Sequence, residues 1–118
     1  MTEPILDPAA FAHLLEITGD DLDFVDGLVD TFLDDGRTQL AAMRVAAAAG
    51  DTAALVRPVH SLKSSSANVG AAALADACRA LEADARSGSV PEVLARVTAC
   101  EEAFEAAREA LLAERATR

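Results

Sequence analysis

Tryptophan and tyrosine are absent from this chain, and phenylalanine occurs only four times. The aromatic platforms on which single-stranded nucleic acids stack are therefore missing. Bases are scarce too: ten Lys and Arg against twenty Asp and Glu leave a formal net charge of −10. A surface that acidic repels nucleic acid phosphates and anionic lipid, so neither is an expected partner. No uninterrupted apolar run is long enough to span a bilayer, and Met1-Thr2-Glu3-Pro4 lacks the basic start of a secretory signal. A soluble, cytoplasmic protein is expected. Cys78 and Cys100 are the only cysteines and form no CxxC unit. They read as two small buried hydrophobes in a reducing compartment. No Gly-rich phosphate loop is present, so nucleotide binding is not indicated.

What is abundant is alanine, leucine, glutamate and arginine, within a hydrophobic fraction of 52%. That composition favours helix over strand, and so much alanine implies a thin, closely packed core. At 118 residues, one domain covering 1–118 is the natural reading. The Met1 start and charged end lead us to expect a free-standing protein.

The punctuation predicts five helices. Asp7-Pro8 reads as an N-cap with proline at the first helical position, opening a short helix over about 8–17. Asp20 is the expected cap of a second helix over about 20–49, with Asp21 and Asp23 at the positive end of its dipole. Leu22, Val25, Leu28, Val29, Phe32, Leu40 and Met43 recur along it at helical spacing, and Gly36 is a candidate bend. Asp51 caps a third helix over about 51–69, with Leu55, Val59, Leu62, Ser66 and Val69 as its seam. A fourth, over about 71–87, carries Leu74, Cys78, Leu81 and Ala85 and stops at Gly88. Ser89-Val90-Pro91-Glu92 reads as a capping box for a last helix over about 90–115, with Val93, Val97, Cys100, Phe104, Ala107 and Leu111 inward. Arg108, Arg115 and Arg118 suit the negative end of its dipole. Short connections make sequential helices antiparallel neighbours. The expected architecture is all-α: an antiparallel four-helix bundle with a short additional N-terminal helix.

Pro58 breaks a local rule by removing a backbone donor inside the third helix. Either the helix kinks there, or regular helix restarts near Pro58. The restart would place His60 in a first turn, where free N–H groups favour an anion.

His60 lies away from the third helix's apolar seam, on a face shared with Ala53, Val56, Arg57, Lys63, Ser64 and Ala67. Arg57 and Lys63 stand three residues before and after it, the spacing of helical neighbours. A neutral imidazole is a competent nucleophile near neutral pH, and cations beside it would stabilise an anionic adduct. The exposed apolar residues Ala53, Val56 and Ala67 form the expected docking surface. His13 has no flanking motif and reads as a surface or partly packed residue. His13, His60, Cys78 and Cys100 show no metal-ligand spacing, so no metal site is expected.

The run His60-Ser61-Leu62-Lys63-Ser64-Ser65-Ser66-Ala67-Asn68-Val69-Gly70-Ala71 resembles the signature of histidine-containing phosphotransfer domains. That pattern is His-x-Leu-Lys-Gly/Ser-small-small-x-x-apolar-Gly, followed by a helix bearing a leucine, here Leu74. The helix order resembles the family over most of the chain. The resemblance implies phosphorylation at His60 Nε2. Lys63 would contact the phosphoryl group or the partner's acidic site, and Ser64 would let a receiver domain approach. Gly70 corresponds to a structural turn glycine. Family members often carry Gln or Glu twenty-two residues after the histidine; Glu82 stands there, either as an acceptor for Nδ1–H or as a solvated helix glutamate. Arg79 and Arg86, a turn to either side of Glu82, are candidates for a cationic rim.

The implied protein is a monomeric phosphorelay carrier, not an enzyme with its own turnover. It would serve response-regulator receiver domains and a sensor histidine kinase, needing no cofactor, with Mg2+ held by the receiver. The rival readings are a non-phosphorylated scaffold binding the same partners, a kinase fragment or metal-dependent hydrolase, and an inert structural bundle.

Overall fold

The computed structural model describes residues 4–117. Its elements are α1 (Pro8–Ile17), α2 (Leu22–Ala48), α3 (Thr52–Asn68), α4 (Ala72–Ser87) and α5 (Val93–Ala116), with no strand among the described residues. The readings made from Met1, Thr2, Glu3 and Arg118 lie outside them. Helices α2 to α5 make an antiparallel bundle in which α3 lies between α2 and α4, and α5 closes the ring against both. Helix α1 lies across α2 and α3.

Three helices start as their caps dictate. Asp7 accepts from the Ala9 N–H and Asp51 from the Ala54 N–H, each at 3.0 Å. The cap of α2 is Asp21, which accepts from Phe24 N–H at 3.0 Å, and not Asp20. Asp20 is held with Gly19 in a left-handed turn (φ +58° and +66°), where its own N–H bonds back to the Leu15 carbonyl. The capping box before α5 does not form either. Val90 precedes a proline, which disfavours helical backbone there. Glu92 takes φ +53° without a side-chain cap, so α5 begins at Val93. Pro58 neither ends nor restarts α3, which is helical from Thr52 to Asn68. His60 is therefore a mid-helix residue, and the first-turn anion site considered above does not exist. Arg108 and Arg115 are spent on carboxylates: Arg108 on Glu105 of its own helix, Arg115 across to Asp26 and Asp30 of α2.

The seams predicted for α3, α4 and α5 are buried, apart from the half-buried Val93. In α2 the order is less strict, since Leu22 is exposed and Leu28 only half-buried. Gly36 does not break α2; it makes room for Phe104 of α5, whose ring packs against Phe32 with centroids 5.5 Å apart and planes tilted by 41°. A Cβ on Gly36 would collide with Phe104 Cε1. Gly27, in the same helix, faces open space. Alanine substitution should therefore have opposite signs at these two glycines. Gly27→Ala should add about 0.5–1 kcal/mol through helix propensity. Gly36→Ala should lose about 1 kcal/mol net, because overpacking costs about 1–3 kcal/mol against the same propensity gain. Urea midpoints at unchanged m-value measure both.

Gly70, at φ +79°, closes α3 and accepts the Asp7 N–H at 2.6 Å, while Pro4 accepts from Ala73 N–H. The turn below the His60 helix is thereby tied to the chain's first described residues. Cys78 and Cys100 are free and fully buried on facing helices. The Cys100 sulfur beside it and burial push the Cys78 thiol up, so it stays protonated.

Candidate functional site

Burial of Leu55, Val59 and Leu62 fixes the rotation of α3. That rotation turns His60 outward, its side chain 53% exposed. The same packing sets α4 alongside, and because α4 runs antiparallel, Glu82 comes level with His60. Glu82 is the one charged residue buried among the described residues, its side chain 7% exposed. His60 Nδ1 lies 2.9 Å from Glu82 Oε2. Lys63 Nζ sits 2.6 Å from Oε1. Arg86 donates to Oε2 twice, from Nε at 2.9 Å and Nη2 at 2.7 Å.

A buried carboxylate is costly unless paired, and this one is paired at both oxygens. The Lys63 ammonium, with Arg86 and His60 adding their donors, outweighs burial and holds the Glu82 carboxyl down to about 2, from an ordinary 4.5. An ionised carboxylate only accepts, so the His60 Nδ1 facing it carries the proton. Nε2 is left with its lone pair directed at solvent. The site is thus a nucleophilic nitrogen whose tautomer is set from below, with Lys63 beside it.

Two surfaces flank the imidazole. On the N-terminal side is a hollow of about 380 Å³ lined by Ala53, Val56, Arg57, His60, Ser61 and Arg86. Val56 is half-buried there, and Ala53 and Arg57 are exposed. On the C-terminal side Ser64 and Ala67 are exposed, small and one and two turns from His60. Beyond Ala67 opens an apolar groove of about 580 Å³ between α1, α2 and the end of α3, formed by Leu14, Ile17, Leu28, Phe32 and Val69. His13 is exposed on its rim. Sequence reasoning missed this groove, because Leu28 was assigned to the bundle seam and α1 had no assigned docking place. Arg79 does not join the cationic rim; it faces outward to Asp76, 2.7 Å away. Arg86 does, through a Glu-to-Arg spacing of four that was visible in the sequence. Among the described residues, no three His, Cys, Asp or Glu side chains gather as metal ligands. No helix among them is long and apolar enough to cross a membrane.

The sequence model of the Hpt domain matches residues 27–110, which include His60, Lys63, Gly70 and Glu82. This chain belongs to the Hpt domain family. The Hpt fold extends over the rest of the chain as well. The crystal structure of histidine-containing phosphotransfer protein B (HptB) from Pseudomonas aeruginosa PAO1 is 34% identical, with a TM-score of 0.87 over 99% of each chain. No curated protein matches in sequence. The Hpt domain is a phosphotransfer carrier of phosphorelays, a family that works with receiver domains and kinases.

Proposed function

We propose that His60 is the phosphoryl acceptor of this Hpt domain. It takes the group from a receiver-domain aspartyl phosphate, or from a sensor histidine kinase, and passes it to another receiver. The observation that carries this reading is the Nδ1–Glu82 contact, which leaves Nε2 exposed as the nucleophile. In the forward step the Nε2 lone pair attacks phosphorus, approximately in line, and the P–O bond to the receiver's aspartate breaks. The aspartate leaves with the electron pair. The imidazole becomes cationic with its proton still on Nδ1, and the Glu82 carboxylate stabilises that charge. Lys63, one turn along, then neutralises the phosphoryl oxygens, with Arg57 adding positive charge from the opposite side. The reverse sequence, with a different aspartate, unloads the carrier.

Ser64 and Ala67 let the receiver surface come close, and the apolar groove beyond them extends the contact away from His60. Val56 and Ala53 cover the other flank. The protein acts as a monomeric, cytoplasmic carrier without turnover of its own. It needs no cofactor, and Mg2+ belongs to the receiver's acidic pocket.

Incubation with a panel of phosphorylated receiver domains and Mg2+ tests the reading. Acid-labile, base-stable label on the protein is the expected result. Absence of label with every receiver, while one of them still binds, would replace the carrier by the non-phosphorylated scaffold.

A further inference from the structure

Glu82 is held more firmly than a partner for one imidazole requires. Oε2 receives three donors, namely His60 Nδ1 and the Nε and Nη2 of Arg86, whereas Oε1 faces the single ammonium of Lys63. The two cations differ in kind. Lys63 is a point charge on a flexible stem, while Arg86 presents a planar fork whose orientation its two bonds fix. Arg86 lies one turn after Glu82 on α4, so it follows the carboxylate through any motion of that helix. Its side chain is 58% exposed, so it is not needed to fill the core.

We propose that Arg86 is the positioning residue of the phosphoacceptor site: it clamps Glu82 Oε2 beneath His60 and so keeps Nε2 as the free nitrogen while Lys63 serves the phosphoryl group. This rests on the assignment of His60 as acceptor. Lys63 cannot fully hold Glu82 and neutralise an incoming phosphoryl group at once. When Lys63 turns outward, Arg86 retains the carboxylate in the orientation that accepts Nδ1–H. Without Arg86 the carboxylate rotates about its terminal bond, and the imidazole distributes its proton over both nitrogens. The Nε2–H form has no lone pair to offer phosphorus. Arg86 thus acts through Glu82 and needs no contact with the reacting atoms.

The test compares wild type with Arg86→Ala and Arg86→Lys. Histidine ring ¹⁵N spectra, recorded where the imidazole is neutral, report the tautomer of His60, with the exposed His13 as internal reference. Labelling by phosphoramidate, a small donor with no docking surface, reports the chemistry. In the wild type the Nδ1–H form should dominate. Arg86→Ala should shift His60 toward a mixture and slow labelling about tenfold, the low end for loss of a supporting hydrogen bond. Arg86→Lys, which restores a donor but not the fork, should recover part of both. An unchanged tautomer in Arg86→Ala overturns the proposal, whatever the rate does; a slower rate with an unchanged tautomer would place Arg86 on the phosphoryl group itself. The spectra decide the positioning role even if no donor labels His60 in the wild type, a result that would sink the carrier assignment instead.

Discussion

His60→Gln should abolish phosphorylation by every donor, receiver or small molecule, and leave the fold intact. Glutamine keeps an N–H that can reach Glu82, so the buried carboxylate retains a neutral donor at Oε2 alongside Arg86. The side chain it replaces is 53% exposed and contributes nothing to the Leu55–Val59–Leu62 seam. The stability change should stay within about 0.5 kcal/mol, as for other surface substitutions. What disappears is the nitrogen lone pair, for which an amide offers no substitute. The measurement is acid-labile label on wild type and variant, with thermal melts of both. Label persisting in the variant would mean that another residue, with His13 the first suspect, is the acceptor. A cooperative melt lost in the variant would mean that His60 is part of the structure.

The second large effect is expected at Glu82. Glu82→Ala removes the acceptor of three donor side chains at once. Hydrogen bonds to charged groups contribute about 1.5–3 kcal/mol. Lys63 and Arg86 are part-exposed and can return to water, so a loss of about 2 kcal/mol is expected, with transfer to His60 slowed about tenfold to a hundredfold. Glu82→Gln should separate the two consequences. Its amide oxygen still accepts from Nδ1–H, so most of the rate should survive. The pH dependence of stability should not. The carboxyl of Glu82 is held by Lys63, Arg86 and His60 down to about 2, against an ordinary 4.5. A lowered value in the folded state means that the unfolded chain binds the proton first. The stabilisation is complete above 4.5 and is lost as the pH falls from there toward 2. Other carboxylates of this acidic chain contribute to acid unfolding in both proteins, so the difference between them isolates Glu82. Urea titrations at pH 6 and pH 3 should show wild type losing more stability than Glu82→Gln. Equal losses would show that the ion pairs around Glu82 are too well solvated to matter.

Much of this protein follows from its sequence by local rules. The five helices come from caps, glycine stops and seams whose information lies within a few residues. Asp7, Asp51 and Gly88 act where their neighbours alone would place them. His60 could be singled out because the period of α3 puts it off the apolar face, and the motif through Gly70 is contiguous. Where a second local signal intervened, the sequence reading failed. Asp20 is the expected cap of α2, but the left-handed turn at Gly19-Asp20 moves the cap to Asp21. Ser89 through Glu92 has the letters of a capping box, but Pro91 spoils its backbone. Pro58 is accommodated within α3, which is helical from Thr52 to Asn68 with Pro58 buried between Leu55 and Val59.

The tertiary structure decided whatever depends on residues far apart in the chain. Gly36 as a socket for Phe104 requires α2 and α5 to meet at one height. The apolar groove requires α1 to lie across α2 and α3, and no periodicity within α1 specifies that placement. For Glu82 the sequence offered a solvated helix residue or a partner of His60. Burial beside α3 converts it into the shared acceptor of His60, Lys63 and Arg86, because a charge removed from water must find every partner within reach. Local spacing says which residues share a face of one helix; only the docking of α4 against α3 says which carboxylate lies beneath the imidazole.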